Sequence, residues 1–174
     1  MPALNRVLVA QRGWVRVKVI HDRGFFEALT TEHKEWEPAC PFERYLEVLR
    51  SCHIGLLPLN STPWNLAKSD LKFLECAGHG VVALASPTVY EMSVQEEKTG
   101  LIYRSAEEFE AKLTKLIEDH AFRRLLAARA YDWVRKHRLL SQHYTARHTW
   151  YLNMRDQLPK LNDELRRRVP ELFS

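Results

Sequence analysis

Leu66 to Ala85 reads L-A-K-S-D-L-K-F-L-E-C-A-G-H-G-V-V-A-L-A, and the fold turns on how this stretch divides. Ser69 is a good N-cap, because its hydroxyl can accept from the otherwise free amide of Leu71 or Lys72. Leu71, Phe73, Leu74 and Ala77 make an apolar stripe at helical spacing, and Gly78 and Gly80 stop the helix. Val81 to Ala85 then runs without a polar residue, the pattern of a strand covered on both faces. The open amides at the start of the helix form an anion site, with Lys68 and Lys72 nearby. Lys72 and Glu75, three residues apart, share a helix face. Cations and amides suit a phosphate and a carboxylate suits a sugar hydroxyl, so the stretch predicts a phosphorylated, sugar-bearing ligand.

Upstream, Leu4, Val7, Leu8 and Val9 predict a short helix ending before Gly13. Trp14 to Ile20 alternates apolar and basic residues and reads as a strand closed by His21-Asp22. Phe25–Leu29 reads as a small helix, His33–Glu37 as a second strand, Pro38–Pro41 as a stiff loop, and Phe42–Cys52 as a helix with Tyr45, Leu46, Val48 and Leu49 inward. His53–Leu59 reads as a third, buried strand, followed by the loop Asn60–Ala67. Downstream, Thr88–Val94 reads as a helix and Thr99–Tyr103 as a last small strand. Ser105 and Glu108 form a capping box for a helix carrying Phe109, Leu113, Leu116 and Ile117. Helices follow over about Ala121–His137 and Ser141–Leu158, the second stopped by Pro159. Strands alternating with helices predict an α/β fold with a Rossmann-like, doubly wound parallel sheet and C-terminal helices. The expected division is a domain over 1–140, with a helix and tail at 141–174 packing on it.

The 174 residues suffice for one domain with a proper core, at 45% hydrophobic and 28% charged. A net charge of +4 fits a phosphate-bearing ligand or an anionic surface and falls short of a nucleic-acid footprint. Cys40, Cys52 and Cys76 lack metal spacing and sit beside apolar residues, which suits buried free thiols in a reducing compartment. No apolar run approaches the ~20 residues of a membrane span and no signal peptide is visible, so a cytoplasmic location is expected. His143 and His148, at i and i+5, are a poor ligand pair, and no metal is expected. No P-loop and no Ser-His-Asp or Cys-His pattern is visible. Arg123, Arg124, Arg129, Arg135, Lys136 and Arg138 make a basic helix surface, either simply solvated or docking peripherally on a membrane. Trp150 and Tyr151 are expected to pack the last helix.

Ser69 to Ser86, S-D-L-K-F-L-E-C-A-G-H-G-V-V-A-L-A-S, resembles the segment S-x-x-K-x-x-E-x-x-A-x-G-x-P-V-v-A-S of retaining GT-B glycosyltransferases, in their K-S-x-x-K-x-x-E form. Cys52–Leu59 (C-H-I-G-L-L-P-L) resembles that family's c-D-i-g-l-l-P-L, and Thr99–Tyr103 (T-G-L-I-Y) its n-G-l-l-y. With Glu107–Leu140, the likeness runs from Val15 to Trp150, and it lies in the order and spacing of the motifs. It implies a C-terminal domain binding a nucleotide diphosphate sugar, the donor for transfer to a hydroxyl acceptor in glycan biosynthesis, with no other cofactor.

On this resemblance Glu75 holds the donor ribose, and Ser69, Asp70 and Leu71 offer backbone amides to the diphosphate beside Lys68 and Lys72. The loop Pro38–Pro41, with Cys40, lies where the base is read by backbone groups. The donor sugar rests against Asn60, Trp64 or Asn65, unless that loop is a plain connection packed by Trp64. Departures are equally specific. The family's E-x7-E pair would need Glu at 67, where the chain has Ala67. A first strand with its basic loop and an N-terminal acceptor domain have no counterpart in these residues. The expected partner is therefore an acceptor-binding domain or a second copy, with the chain alone inactive. The rival reading is a non-catalytic nucleotide-binding or protein-interaction module of the same fold. A receiver-like signalling domain would need acidic residues at strand ends, where only Asp22 stands.

Overall fold

A computed structural model describes residues 1–173. Its elements are α1 (Pro2–Ala10), β1 (Val17–Ile20), α2 (Arg23–Glu27), β2 (Lys34–Glu37), α3 (Phe42–Arg50), β3 (Ile54–Leu57), α4 (Pro63–Leu66), α5 (Leu71–Gly78), β4 (Val82–Ala85), α6 (Pro87–Tyr90), β5 (Leu101–Ile102), α7 (Ala106–Glu118), α8 (His120–His137), α9 (Leu140–Asp156) and α10 (Leu158–Arg168), with a closing 3-10 turn at Pro170–Phe173. The chain divides into two compact units, Met1–Arg135 and the residues from Lys136 on.

The first unit is α/β and Rossmann-like, with every strand pair parallel. Its strands close two ladders, β1–β2 and β3–β4–β5. Alternation along the strands sorts side chains to opposite faces. Val19, Ile54, Leu56, Val82, Leu84 and Leu101 pack with α1, α2 and α7 in one cluster, which therefore spans both ladders. Leu57, Val81, Ala83, Ala85 and Ile102 pack with α3, α5 and α6 in the other. Helix α8 serves both, through Leu126 and Ala127 on one side and Ala130 and Trp133 on the other. Strand β4 lies wholly between these layers, its four residues 0–1% exposed.

Several local readings need correction. The first strand begins at Val17, leaving Trp14 exposed, and β3 is only half-buried apart from Leu57. The loop after β3 contains a helical turn, α4, because the Thr62 hydroxyl accepts from the Asn65 amide at 3.2 Å and Pro63 suits a first helical position. Helix α5 is capped in position by Asp70, not Ser69. It ends as expected, with Gly80 in the left-handed region at φ +73°. Ser105 caps α7 by accepting from the Glu108 amide at 3.2 Å, while the Glu108 carboxylate reaches back to the Arg104 amide at 2.9 Å. Cys40 and Cys52 are half-buried, and only Cys76 is fully buried.

In the second unit Pro159 does not stop a helix. It sits in the first turn of α10, where its missing N–H leaves no bond unmade. The residues read as a tail are thus a further helix. Trp150 and Tyr151 are exposed and meet edge to face at 5.1 Å between ring centres. Among the described residues no helix is long and apolar enough to cross a membrane.

Candidate functional site

The C-terminal ends of β2, β3 and β4 lead into Pro38–Pro41, the Asn60–Ala67 segment and Ser86, the edge where open parallel sheets carry ligands. Helix α5 is drawn tightly against β3 because Gly55 has no side chain. A Cβ there would stand 2.6 Å from the Cys76 sulfur. That close fit sets where the polar face of α5 stands.

Glu75 lies on this face with its side chain 12% exposed. Its Oε2 accepts from the Tyr45 hydroxyl at 2.7 Å and from Lys72 Nζ at 2.9 Å. Lys72 Nζ also sits 4.2 Å from the centre of the Tyr45 ring, and Phe42 stacks on that ring at 6.0 Å. The carboxylate is thus held by two donors, and a cation lies over the phenol that supplies one of them. Burial, followed by the bond to Glu75, pushes the Tyr45 hydroxyl well above the usual phenol range and keeps it a donor. Burial likewise pushes the Cys76 thiol up to about 12, which leaves it protonated and unreactive. The Glu75 backbone carbonyl lies 2.7 Å from His79 Nδ1, which braces the last turn of α5.

At the other end of α5 the amides of Leu71 and Lys72 find no main-chain acceptor among the described residues, and no side chain caps them. Asp70 contributes its carbonyl to the Phe73 amide at 2.9 Å, and its carboxylate accepts from the Ser93 hydroxyl. Ser69 and Lys68 are exposed just before the helix, and Lys68 makes no ion pair among the described residues. This edge can therefore offer amides and one free cation a single turn from a positioned carboxylate.

The remaining predicted residues fall into two groups. Pro38 and Cys40 precede α3, whose first turn carries Phe42 and Tyr45 and so connects that loop to Glu75. Asn60, Trp64 and Asn65 belong to the turn around α4, where the Asn65 side chain donates to the Asn60 carbonyl at 3.0 Å. Trp64 is 78% exposed, so it does not pack that segment down. No hydrogen bond or ion pair among the described residues joins this group to Glu75. Two grooves, one of about 290 Å³ beside β1, β2 and α3 and one of about 450 Å³ along α9, are not lined by Glu75, Lys72 or Lys68. No group of three His, Cys, Asp or Glu side chains converges as metal ligands would among the described residues.

Tyr45 is the member of this cluster that sequence reasoning placed only as an inward-facing apolar position. The available signal was chemical, since a buried tyrosine hydroxyl usually finds a partner.

Comparison with known proteins places the chain. The model of the glycosyl transferase-like family matches residues 4–153, and the chain belongs to that family. A similar solved structure is the C-terminal domain of a group 1 family glycosyl transferase, LpcC, from Francisella tularensis. It is 14% identical, with a TM-score of 0.48 over 76% of this chain and 91% of that one. No curated protein has a matching sequence.

Proposed function

We propose that the edge formed by α5 and α3 binds the nucleoside diphosphate part of a sugar donor in a GT-B-type transferase. The observation that carries this reading is Glu75, a nearly buried carboxylate oriented by Tyr45 and Lys72 one turn beyond the unpaired amides of Leu71 and Lys72. Glu75 Oε2 is occupied within the chain, which turns Oε1 toward the ribose hydroxyls. The helix-start amides with Lys68 take the diphosphate, and Lys72, half-exposed, moves between Glu75 and a bound phosphate. Fixed amide dipoles stabilise negative charge developing on the leaving diphosphate. An acceptor-binding domain, or a second copy, supplies the other wall of the cleft, and transfer to a hydroxyl requires it.

Ala67 and the internal use of Glu75 by Tyr45 and Lys72 favour a second reading, a binding module without transfer activity. Thermal-shift and calorimetric titration with UDP, GDP, ADP and CMP, on the natural chain and on Glu75→Gln, tests the first. One nucleotide is expected to bind, with roughly tenfold weaker binding to the variant, about 1.4 kcal/mol. Binding by none of them, or equal binding by both proteins, would overturn the assignment. Donor turnover assays on the chain with its acceptor-side partner then separate transferase from binding module.

A further inference from the structure

Ser86, Ser93 and Thr99 are buried, and a buried hydroxyl needs a partner. Two of the three serve the main chain. The Ser86 hydroxyl accepts from the Leu59 amide at 2.9 Å, and that of Thr99 accepts from the Gln95 amide at 2.9 Å. Ser93 differs, because its hydroxyl donates to the Asp70 carboxylate, 23 residues earlier. The hydroxyl comes from a fixed place. The Ser93 and Val94 amides both donate to the Tyr90 carbonyl, at 3.0 and 2.8 Å, and Tyr90 and Val94 are buried as well.

Asp70 stands at the N-cap position of α5. An aspartate there ordinarily turns its carboxylate back onto the amide two or three residues on. Here it makes no such bond, and its backbone, at φ −78° and ψ 18°, lacks the extended form of a self-capping residue. The Asp70 carbonyl takes the Phe73 amide at 2.9 Å, so the amide left for a turned-back carboxylate is that of Lys72. Such a carboxylate would oppose a bound anion twice. It would occupy the Lys72 amide, and it would set a negative charge at the positive end of the helix.

We propose that Ser93 is a positioning residue: its hydroxyl holds the Asp70 carboxylate off the start of α5 and so keeps the Lys72 amide open. Without that hydroxyl Asp70 rotates to the extended form and caps its own helix, and the anion end of the site closes. That a phosphate uses the open amide rests on the donor-binding reading; the hold of Ser93 on Asp70 does not.

The test is a double-mutant cycle on the full chain, with Ser93→Ala, Asp70→Ala and both together, and with Ser93→Thr as the variant that keeps the hydroxyl. Solvent exchange of the Lys72 amide is followed by NMR without ligand, and inorganic pyrophosphate is titrated by calorimetry. In Ser93→Ala the Lys72 amide is expected to exchange about fivefold more slowly, the factor that an ordinary cap bond supplies. Pyrophosphate binding weakens by about the same fivefold factor, because only the uncapped fraction can bind. Ser93→Thr keeps both values of the natural chain. With alanine at position 70, Ser93→Ala has no further effect on either. A serine that only braces the helix start gives the opposite pattern: Lys72 exchanges faster in Ser93→Ala, and binding falls equally with Asp or Ala at position 70. Either result overturns the proposal, as does unchanged Lys72 exchange. If the natural chain binds no pyrophosphate, the donor-binding reading fails and the Lys72 exchange alone decides for or against Ser93.

Discussion

Leu56 and Leu84 are register partners on adjacent strands and point into the same core, yet Leu84 is fully buried and Leu56 only partly buried. Their side chains are identical and their helix cover is shared. The difference is that β4 has a strand on each side and β3 has one. Burial in a sheet belongs to the pair of neighbours and not to the strand's own hydrophobicity. The same contrast separates the two halves of the unit: β4 has a paired strand on each side, while among the described residues β1 and β3 each pair with one strand.

The sharpest break of this comparison is Leu84→Ala against Leu56→Ala. Denaturant unfolding is expected to show a loss of about 3–5 kcal/mol at Leu84, where a cavity forms, and about 1–2 kcal/mol at Leu56. Equal losses would show that the edge of β3 away from β4 is covered in solution. Gly55→Ala is expected to lose roughly 1–3 kcal/mol, because the added Cβ collides with the buried Cys76 sulfur. Part of that loss should return in Gly55→Ala/Cys76→Ala, and an additive double variant would remove the close-packing explanation. Tyr45→Phe deletes one bond to Glu75 at a partly exposed position, with an expected loss of about 1 kcal/mol by the same measurement.

The smallest effect is on pH. The folded state raises the hydroxyl pKa of Tyr45 through burial and the bond to Glu75, so the folded form holds this proton more tightly than the unfolded chain. Its stabilisation is complete below the ordinary phenol value near 10 and falls as pH rises above it. Tyr45→Phe should flatten the alkaline fall in melting temperature without removing it, since burial also raises Tyr90 and Tyr103. An unchanged alkaline slope would mean that Tyr45 does not titrate with folding.

Most of the element order was legible because local patterns carry it. The alternation within Trp14–Ile20, the apolar run at Val81–Ala85 and the stripe Leu71, Phe73, Leu74 and Ala77 each name an element, although β1 starts only at Val17, and Leu71 is exposed while Cys76 takes a buried place on α5. Local competition was harder to read. Ser69 and Asp70 are adjacent and both can cap, and position in the fold, with Ser93 holding the Asp70 carboxylate, decided for Asp70. Asn60–Ala67 looked like loop because four residues are too few to show a helical period, although Thr62 and Pro63 carry a helix-start signal. For the site, Lys72 and Glu75 were legible from their spacing. Tyr45, thirty residues earlier, was not.

By itself the sequence determined a parallel α/β unit with a glycine-terminated helix leading into a buried strand, and a lysine and a glutamate on one face of that helix. Spacing, capping and alternation are local properties, so neighbours along the chain settle them. Only the tertiary structure decided that Gly55 admits Cys76, that Tyr45 holds Glu75, and that the strands pair as two ladders, β1–β2 and β3–β4–β5. These depend on close packing and on hydrogen bonds between segments distant in sequence, and no periodicity within a segment records which partner it will meet.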